Sequence, residues 1–234
     1  MPEIQLLQKA LGTHQAEAAL KTLYGAQPSR LADEKRRYSA LLEQFAAAFP
    51  AQEEVDIFSS PGRTEVGGNH TDHNAGRVLA AAVDLDLLAV AARRSDQVIQ
   101  VASEGYTPEA LTLEELSPQE SERFTSSALI RGICARMKEL GFSIGGFDAV
   151  ITSRVPKGSG LSSSAAYEVL IATILNHFYN QDRLDNVLKA QICQYAENQY
   201  FGKPCGLMDQ TTCAVGGFVT IDFRDFDHPI VKKV

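Results

Sequence analysis

Residues 155–166 read Val-Pro-Lys-Gly-Ser-Gly-Leu-Ser-Ser-Ser-Ala-Ala, a glycine-rich turn between a predicted strand (147–152) and a predicted helix (162–179). Glycines allow the backbone to approach a ligand closely, and the first N–H groups of a helix have no partner inside the helix. The positive end of the helix dipole strengthens their attraction for an anion. The stretch therefore predicts a loop that binds phosphate.

The three serines at 162–164 support this interpretation, because their hydroxyls can bond phosphate oxygens and one of them can bind magnesium. The spacing differs from a Walker A loop, in which Lys and Ser or Thr follow the second conserved glycine. A structural alternative stays open, in which Gly158 and Gly160 form a turn and a serine caps the helix. The length of the complete string favours phosphate binding.

A second polar, glycine-rich segment covers residues 60–74, which we place between two strands. Its Arg, Asn, His and Asp side chains mix donors and acceptors, as a ligand with many hydroxyls such as a sugar requires. A plain surface loop is one alternative. A metal site formed by His70, Asp72 and His73 is another, although these residues lack the spacing of known zinc sites.

A third segment, residues 196–210, offers two carboxylates with separate tasks. Glu197 lies near the end of a predicted helix, and Asp209 follows a turn that contains Pro and Gly. One carboxylate could hold magnesium while the other takes a proton from an attacking hydroxyl. Taken singly, each acid also fits a solvated or capping residue.

The other elements follow from hydrophobic periodicity. We predict one or two amphipathic helices within 1–24 and three strands of an antiparallel meander, over 78–83, 87–92 and 98–102. Further helices are predicted over 32–49, 126–140 and 184–200, and further strands over 55–59 and 216–223. Strands and helices are mixed without a regular βαβα repeat, which favours the α+β class.

Composition excludes several classes of protein. The 234 residues carry 22 Lys and Arg against 29 Asp and Glu, a net charge of −7 that does not favour nucleic acid or an anionic membrane. The most apolar stretch, 78–92, is interrupted by two aspartates and is shorter than the ~20 residues of a membrane span. The four cysteines form no C-x-x-C pair, and no signal peptide is visible, so we expect reduced thiols and a cytoplasmic protein.

Together, the three segments resemble the motifs of the GHMP small-molecule kinases and, within them, the galactokinases. Residues 62–74 are similar to the galactokinase sugar signature, 158–166 to the GHMP phosphate-binding motif and 205–210 to the galactokinase catalytic segment. The similarity covers about residues 58–222. It implies an α+β fold of the ribosomal-protein-like domain 2 type, with a mixed sheet packed against helices and a left-handed βαβ crossover instead of the usual right-handed one.

The resemblance also implies a domain organisation. Residues 1–50 would form a helical extension packed on a GHMP kinase N-terminal domain at 51–234, and the C-terminal GHMP domain is absent from this chain. The third glycine-rich motif of the family and an aromatic sugar contact belong to that second domain. We therefore expect weak or no kinase activity from residues 1–234 alone.

The implied activity is ATP-dependent phosphorylation of galactose, or a close sugar, at the C1 hydroxyl, with Mg²⁺ as cofactor. Asp209 would be the catalytic carboxylate facing that hydroxyl, and Arg63 would compensate charge on the transferred phosphoryl group. The implied sugar-binding residues are Arg63, Asn69, His70, Asp72, Gly206 and Asp209. The implied ATP-binding residues are Gly158, Ser159, Gly160, Leu161, Ser162, Ser163, Ser164 and Ala165, with Ser164 and Glu197 as magnesium ligands.

Two departures from the family pattern concern the sugar. Galactokinases commonly carry Ile-Gly-Glu-His where this chain has Gly-Gly-Asn-His at 67–70, and Glu65 replaces a usual Asn. Another hexose or an amino sugar therefore stays open as substrate. Two further alternatives are a galactokinase-like sensor that binds sugar and ATP without turnover, and a GHMP kinase acting on mevalonate, homoserine or a related alcohol. The unaltered serine loop argues against the sensor, and the galactokinase-like segments argue against the other kinases.

Overall fold

The computed structural model describes residues 2–234, apart from the side chain of His73, and has helices on both faces of one mixed sheet. The helices are α1 (Ile4–Ala10), α2 (His14–Tyr24), α3 (Pro28–Ala48), α4 (Ser126–Glu139), α5 (Ser163–Asn180), α6 (Asn186–Ala196) and α7 (Met208–Val215). The strands are β1 (Asp56–Gly67), β2 (Arg77–Arg93), β3 (Val98–Ser103), β4 (Glu109–Thr112), β5 (Phe147–Ser153), β6 (Phe218–Asp222) and β7 (Ile230–Lys233).

Strand β2 organises the sheet because it is 17 residues long and has partners on both sides. β1 runs antiparallel along one side, while β5 pairs with residues 87–93 and β6 with residues 77–81 on the other. β3 and β4 continue the sheet beyond β5, and β7 continues it beyond β6. The β3–β5 pair is parallel and is joined through α4, so the mixed sheet and the α+β class are confirmed. The left hand of this crossover stays a prediction.

The sheet is buried on both faces, and the side chains of β2 show this directly. Leu87, Ala89 and Ala91 point into the cluster formed with α4, α5 and α6. The alternate residues Leu88, Val90 and Ala92 point into a second cluster, formed with α2 and α3. Successive side chains of a strand face opposite sides, so a strand covered on both faces is apolar throughout.

Strand β2 corrects the prediction of two strands over 78–83 and 87–92. Asp84 and Asp86 interrupt the apolar pattern, but the strand continues through them with an irregularity in its pairing to β1, where Pro61 lies opposite Asp86 and Arg63 opposite Ala82. Asp86 is buried because it accepts hydrogen bonds from partners outside the strand. The predicted antiparallel meander is also wrong, since β3 pairs with β4 and β5 and not with β2.

Strand β1 corrects the interpretation of residues 60–74 as a loop between strands. The strand runs through Pro61 and Gly62 to Gly67, and only residues 68–76 form the turn. Pro is tolerated here because β1 pairs only with β2 and lies at an edge. A Pro-Gly pair predicts a turn from sequence, which explains the error.

Helix boundaries follow the predictions closely in three places and differ in three. The helices within 1–24, over 126–140 and over 162–179 are confirmed. α3 begins at Pro28 instead of residue 32, since Pro is well suited to the first position of a helix. The predicted helix over 184–200 is α6 followed by a π-helical turn at Glu197–Phe201, and α7, a helix of only eight residues, was not predicted.

The cysteines agree with the expectation of reduced thiols. All four are free, and Cys134, Cys193 and Cys213 are buried. No helix in the described part of the chain is long and apolar enough to cross a lipid bilayer.

Candidate functional site

The loop that precedes α5 crosses strand β1 at Gly62. A Cβ atom at this glycine would lie 2.8 Å from the carbonyl oxygen of Leu161, so only glycine allows the contact. The next residue, Arg63, donates its backbone N–H to the same oxygen at 3.0 Å. The predicted phosphate-binding loop (158–166) and the predicted sugar-binding segment (60–74) are therefore in contact along β1.

Arg63 joins this loop to the third segment of the sequence. Its Nε donates to Oδ1 of Asp209 at 2.7 Å, and its Nη2 lies 2.5 Å from Oδ2, a bidentate pair of the strong kind. Its Nη1 donates to the carbonyl oxygen of Gly160 at 2.5 Å. The Arg63 side chain is only 7% exposed, whereas that of Asp209 is 30% exposed, so part of the Asp209 side chain is open to solvent.

The loop itself adopts backbone conformations that glycine favours, with φ of +73° at Gly158 and +77° at Gly160. Ser162 is also left-handed and precedes the first residue of α5. Its hydroxyl makes no capping hydrogen bond and instead donates to Oδ2 of Asp209. The alternative in which this serine caps the helix is therefore wrong.

The remaining predicted ATP-binding residues differ in how far they are exposed to solvent. Ser159 is exposed in the loop, and Leu161, Ser163 and Ser164 are half-buried. Ala165 lies in the first turn of α5 with its side chain in the core, so only its backbone faces the loop side.

A groove of ≈ 470 Å³ opens beside the start of α5. Ser163 and Ser164 line it at the loop, and Tyr106, Phe124 and Phe201 are among its aromatic residues. Tyr106 and Phe124 are largely exposed although they are large and apolar. The sequence does not reveal this groove, because its residues come from strands β2–β5, helices α4 and α5 and the connections between them, with no local motif.

The turn after β1 is attached to the segment before α7. Asp72 is buried, and its Oδ2 accepts the backbone N–H of Met208 at 3.2 Å. A Cβ atom at Gly206 would lie 1.8 Å from the same oxygen, so this position requires glycine. Asp72 and Gly206, predicted to bind sugar together, are therefore neighbours.

His70 and Asn69 form the exposed tip of this turn, both with left-handed backbone conformations (φ 48° and 59°). Glu65 on β1 accepts the backbone N–H of His70 at 3.0 Å and lies 3.1 Å from its ring Nε2. The sequence analysis noted Glu65 only as a departure from the family pattern. Its contact with His70 spans the turn, which no local pattern reveals.

Glu197 lies in a buried polar cluster at the start of the π-helical turn. Its Oε1 accepts from Lys203 at 3.1 Å and its Oε2 from Gln210 at 2.8 Å. The same Gln210 amide donates to Oε2 of Glu168 at 3.1 Å. Burial and, after it, the negative charge of Glu197 raise the pKa of Glu168 well above its ordinary value of 4.5.

The predicted metal ligands Ser164 and Glu197 are not hydrogen-bonded to each other in the described chain. Among the described residues, no group of three or more His, Cys, Asp and Glu could hold a metal ion. The alternative metal site of His70, Asp72 and His73 stays a prediction, because the side chain of His73 lies outside the described part of the chain. A metal ion held by Ser164 and Glu197 would need further oxygen ligands from a bound substrate.

Comparison with known proteins identifies the class. The "GHMP kinases N terminal domain" profile matches residues 128–217, and the "Galactokinase galactose-binding signature" matches residues 43–93. The chain therefore contains a GHMP kinase N-terminal domain, and its residues 43–93 match the galactose-binding signature of galactokinases.

Curated and solved relatives agree with this assignment. The Streptomyces coelicolor galactokinase is 36% identical over 191 residues, which cover 80% of this chain and 48% of that protein. The Lactococcus lactis galactokinase is 34% identical, with 83% and 53% covered. The crystal structure of L. lactis galactokinase complexed with galactose superposes with a TM-score of 0.76 at 30% identity, covering 84% of this chain and 51% of that one. The chain spans about half the length of the curated relatives it matches.

Proposed function

We propose that the complete protein transfers the γ-phosphoryl group of ATP to the C1 hydroxyl of galactose or a closely related sugar. The observation that carries this proposal is the contact of Arg63 with both Asp209 and Gly160. One guanidinium joins an accessible carboxylate to a loop suited to phosphate. Phosphoryl transfer to a hydroxyl depends mainly on such positioning and on charge compensation.

In this proposal, Asp209 faces the C1 hydroxyl and accepts its proton as the bond to phosphorus forms. Arg63 orients Asp209 through its two hydrogen bonds and compensates charge on the transferred group. Ser162 donates a hydroxyl to Asp209 and thereby helps to hold it at the end of the loop. The geometry supports these roles because all three side chains converge beside the N-terminus of α5.

The sugar would bind between Asp209 and the turn at 68–76. His70 and Asn69 offer side chains at the tip of this turn, while Asp72 and Gly206 close the side toward α7. The curated galactokinases and the galactose complex of the L. lactis enzyme support galactose as the substrate. The ATP phosphates would lie on residues 158–165, and the base would occupy the adjacent groove.

Mg²⁺ is the proposed cofactor, with Ser164 and Glu197 as its protein ligands. Magnesium takes hard oxygen ligands and commonly binds through one or two protein groups plus substrate phosphates and water, and this donor set fits. Oε1 of Gln210, beside Glu197, is buried without a hydrogen-bond partner, and such a surplus acceptor favours a nearby cation. When bound, the ion would neutralise charge on the ATP phosphates.

We also propose the domain division at residue 50, with α1–α3 as an extension on the back of the sheet, and a cytoplasmic location. The four free cysteines support the location, because structural disulfides are typical of oxidising compartments.

A sugar panel tests the proposed function. The complete polypeptide is incubated with ATP, Mg²⁺ and galactose, glucose, galactosamine or mevalonate, with ADP release as the readout and phosphorus NMR to locate the phosphate. We expect galactose to react fastest and to carry the phosphate on C1. Reaction of another sugar without galactose would refute the substrate, and binding of galactose without ADP release would indicate a sensor.

A further inference from the structure

Around the turn that follows β1, a carboxylate and a carboxamide have exchanged positions relative to the galactokinase pattern. Where galactokinases commonly have Asn followed four residues later by Glu, this chain has Glu65 followed by Asn69. The segment therefore keeps one carboxylate and one carboxamide, but the carboxylate has moved from the tip of the turn to the strand.

Glu65 lies on the same face of β1 as Arg63. The pairing with β2 is regular from Arg63 to Glu65, opposite Ala82, Ala81 and Ala80, so the two side chains point the same way about 7 Å apart. Arg63 holds Asp209 from this face. The Glu65 side chain is only 16% exposed, so its carboxylate is largely shielded from bulk water.

Both carboxylate oxygens of Glu65 are engaged by His70. Oε1 accepts the backbone N–H at 3.0 Å, and Oε2 lies 3.1 Å from ring atom Nε2. The backbone of His70 is left-handed, a conformation that is unfavourable for a residue other than glycine. Glu65 therefore stabilises both the backbone and the ring of the residue at the tip of the turn.

This contact determines which ring nitrogen carries the proton. An ionised carboxylate only accepts hydrogen bonds, so Nε2 must donate, and in the neutral ring Nδ1 is then an acceptor. Among the described residues, Nδ1 makes no hydrogen bond, and the ring is 56% exposed. A carboxylate behind an imidazole is a common means of fixing its tautomer and orientation.

We propose that Glu65 determines sugar recognition in this protein by fixing His70 as the Nε2-protonated tautomer, so that Nδ1 accepts a hydrogen bond from a sugar hydroxyl. Glu65 is a positioning residue, since it acts through His70 and does not itself face the sugar. This inference rests on the proposed function, because it assumes that the turn at 68–76 binds a sugar.

Glu65→Gln is the informative variant because it is isosteric. The Gln oxygen can still accept the backbone N–H of His70, but its amide then presents a donor to Nε2, which forces the proton to Nδ1. The sugar would meet a donor where the parent protein offers an acceptor. Glu54→Gln, at an exposed position before β1, is the matched control for loss of one carboxylate.

Nitrogen-15 NMR of the histidine rings in the complete polypeptide reads the tautomer without any turnover. The chain has five histidines, so a His70→Gln variant assigns the signal. We expect the Nε2-protonated form in the parent protein and the Glu54→Gln control, the Nδ1-protonated form in Glu65→Gln, and a shift of the parent Nδ1 signal on addition of galactose. An Nδ1-protonated parent ring, or an Nδ1 signal that galactose leaves unchanged, would overturn the proposal.

Kinetics in a double-mutant cycle supply the second readout. We expect Glu65→Gln to raise KM for the sugar about tenfold, as loss of one hydrogen bond to the substrate predicts, with KM for ATP nearly unchanged. In a His70→Ala background the same substitution should have no further effect on the sugar KM. An equal effect in both backgrounds would contradict action through His70. If no sugar is phosphorylated, the proposed function fails, and the galactose titration of Nδ1 still decides whether Glu65 sets recognition.

Discussion

Gly206 shows how closely single residues of the sugar-binding turn and the Asp209 segment are packed. The glycine lies against the carboxylate of Asp72, which also accepts the N–H of Met208. No other residue type fits without moving this carboxylate. A single methyl group at this position therefore tests whether the junction serves the sugar.

The expected result for Gly206→Ala is an increase in KM for the sugar of about tenfold or more and a loss of about 1–3 kcal/mol in unfolding free energy, because a Cβ atom would lie 1.8 Å from Asp72 Oδ2. KM for ATP should change little. Steady-state kinetics and urea unfolding measure both quantities. Gly12→Ala is the control, since a Cβ atom there meets only Lys9 at 3.5 Å. An unchanged sugar KM would show that the junction does not shape the sugar site.

Arg63 is the second residue for which a single substitution has a defined expected effect on kcat. Arg63→Lys keeps the charge but cannot bond Asp209 through two atoms and Gly160 through a third. We expect kcat to fall about 10²–10³-fold, the range for removal of one preorganised donor. Arg36→Lys, at an exposed position on α3, is the control. A kcat within a factor of about three of the parent value would argue against Arg63 as a compensating charge.

At the scale of elements, a buried ionic network attaches α2 and α3 to the sheet. Asp86 on β2 accepts hydrogen bonds from Tyr24 at 2.7 Å, Arg37 at 2.6 Å and Ser59 at 2.5 Å. The backbone oxygen of the same residue accepts the backbone N–H of Arg154, which directly follows β5 and precedes the phosphate loop. The helices on the back of the sheet are thereby joined to the base of that loop.

Asp86→Ala should lower the unfolding free energy by about 3–5 kcal/mol, because it removes the nearer carboxylate of the buried Arg37 guanidinium, which keeps only the 3.3 Å carboxylate contact with Glu34. The buried Tyr24 hydroxyl would also lose its carboxylate acceptor. Asp84→Ala, two residues away and 62% exposed, should cost less than about 1 kcal/mol. Chemical denaturation of the two variants measures the difference. Equal effects would mean that the network does not hold the helices to the sheet.

The elements also show how far the sequence determines the structure. Long periodic segments such as α4 and α5 were predicted to within two residues, since an apolar stripe with a 3.6-residue period is a strong local signal. β1 and β2 were broken in the prediction at Pro61 and Asp86, where tertiary partners override local preference. The order of strands in the sheet depends on contacts far apart in the chain, which periodicity does not contain.

In the candidate active site, too, residues within local motifs were predicted, and groups assembled from separate elements were not. Local motifs indicated Asp209, Arg63, Asp72 and the serine loop, and the structure brings Arg63, Asp209 and Gly160 into contact. The groove beside α5, the contact of Glu65 with His70 and the cluster of Glu168, Gln210 and Glu197 come from separate elements. Such groups converge only in the folded chain, so the sequence alone could not reveal them.

At the scale of the whole molecule, Glu168 links stability to pH. Its pKa is raised in the folded chain, chiefly by burial, so the folded state retains a proton that the unfolded state releases above its ordinary pKa of 4.5. The free energy of unfolding should therefore fall as pH rises above 4.5. Glu168→Gln should flatten this dependence relative to a Glu54→Gln control. A parent protein and a Glu168→Gln variant with the same slope would show that Glu168 is ionised in the fold.

The central claim concerns Asp209, the accessible carboxylate held by Arg63 at the phosphate loop. The most direct measurement is kcat for galactose phosphorylation by the complete polypeptide and its Asp209→Asn variant, with Asp84→Asn as the control. If Asp209 accepts the proton of the C1 hydroxyl, Asp209→Asn lowers kcat about 10²–10⁴-fold, the range for loss of a general base, while galactose still binds. A variant that turns over galactose at nearly the parent rate would contradict this role.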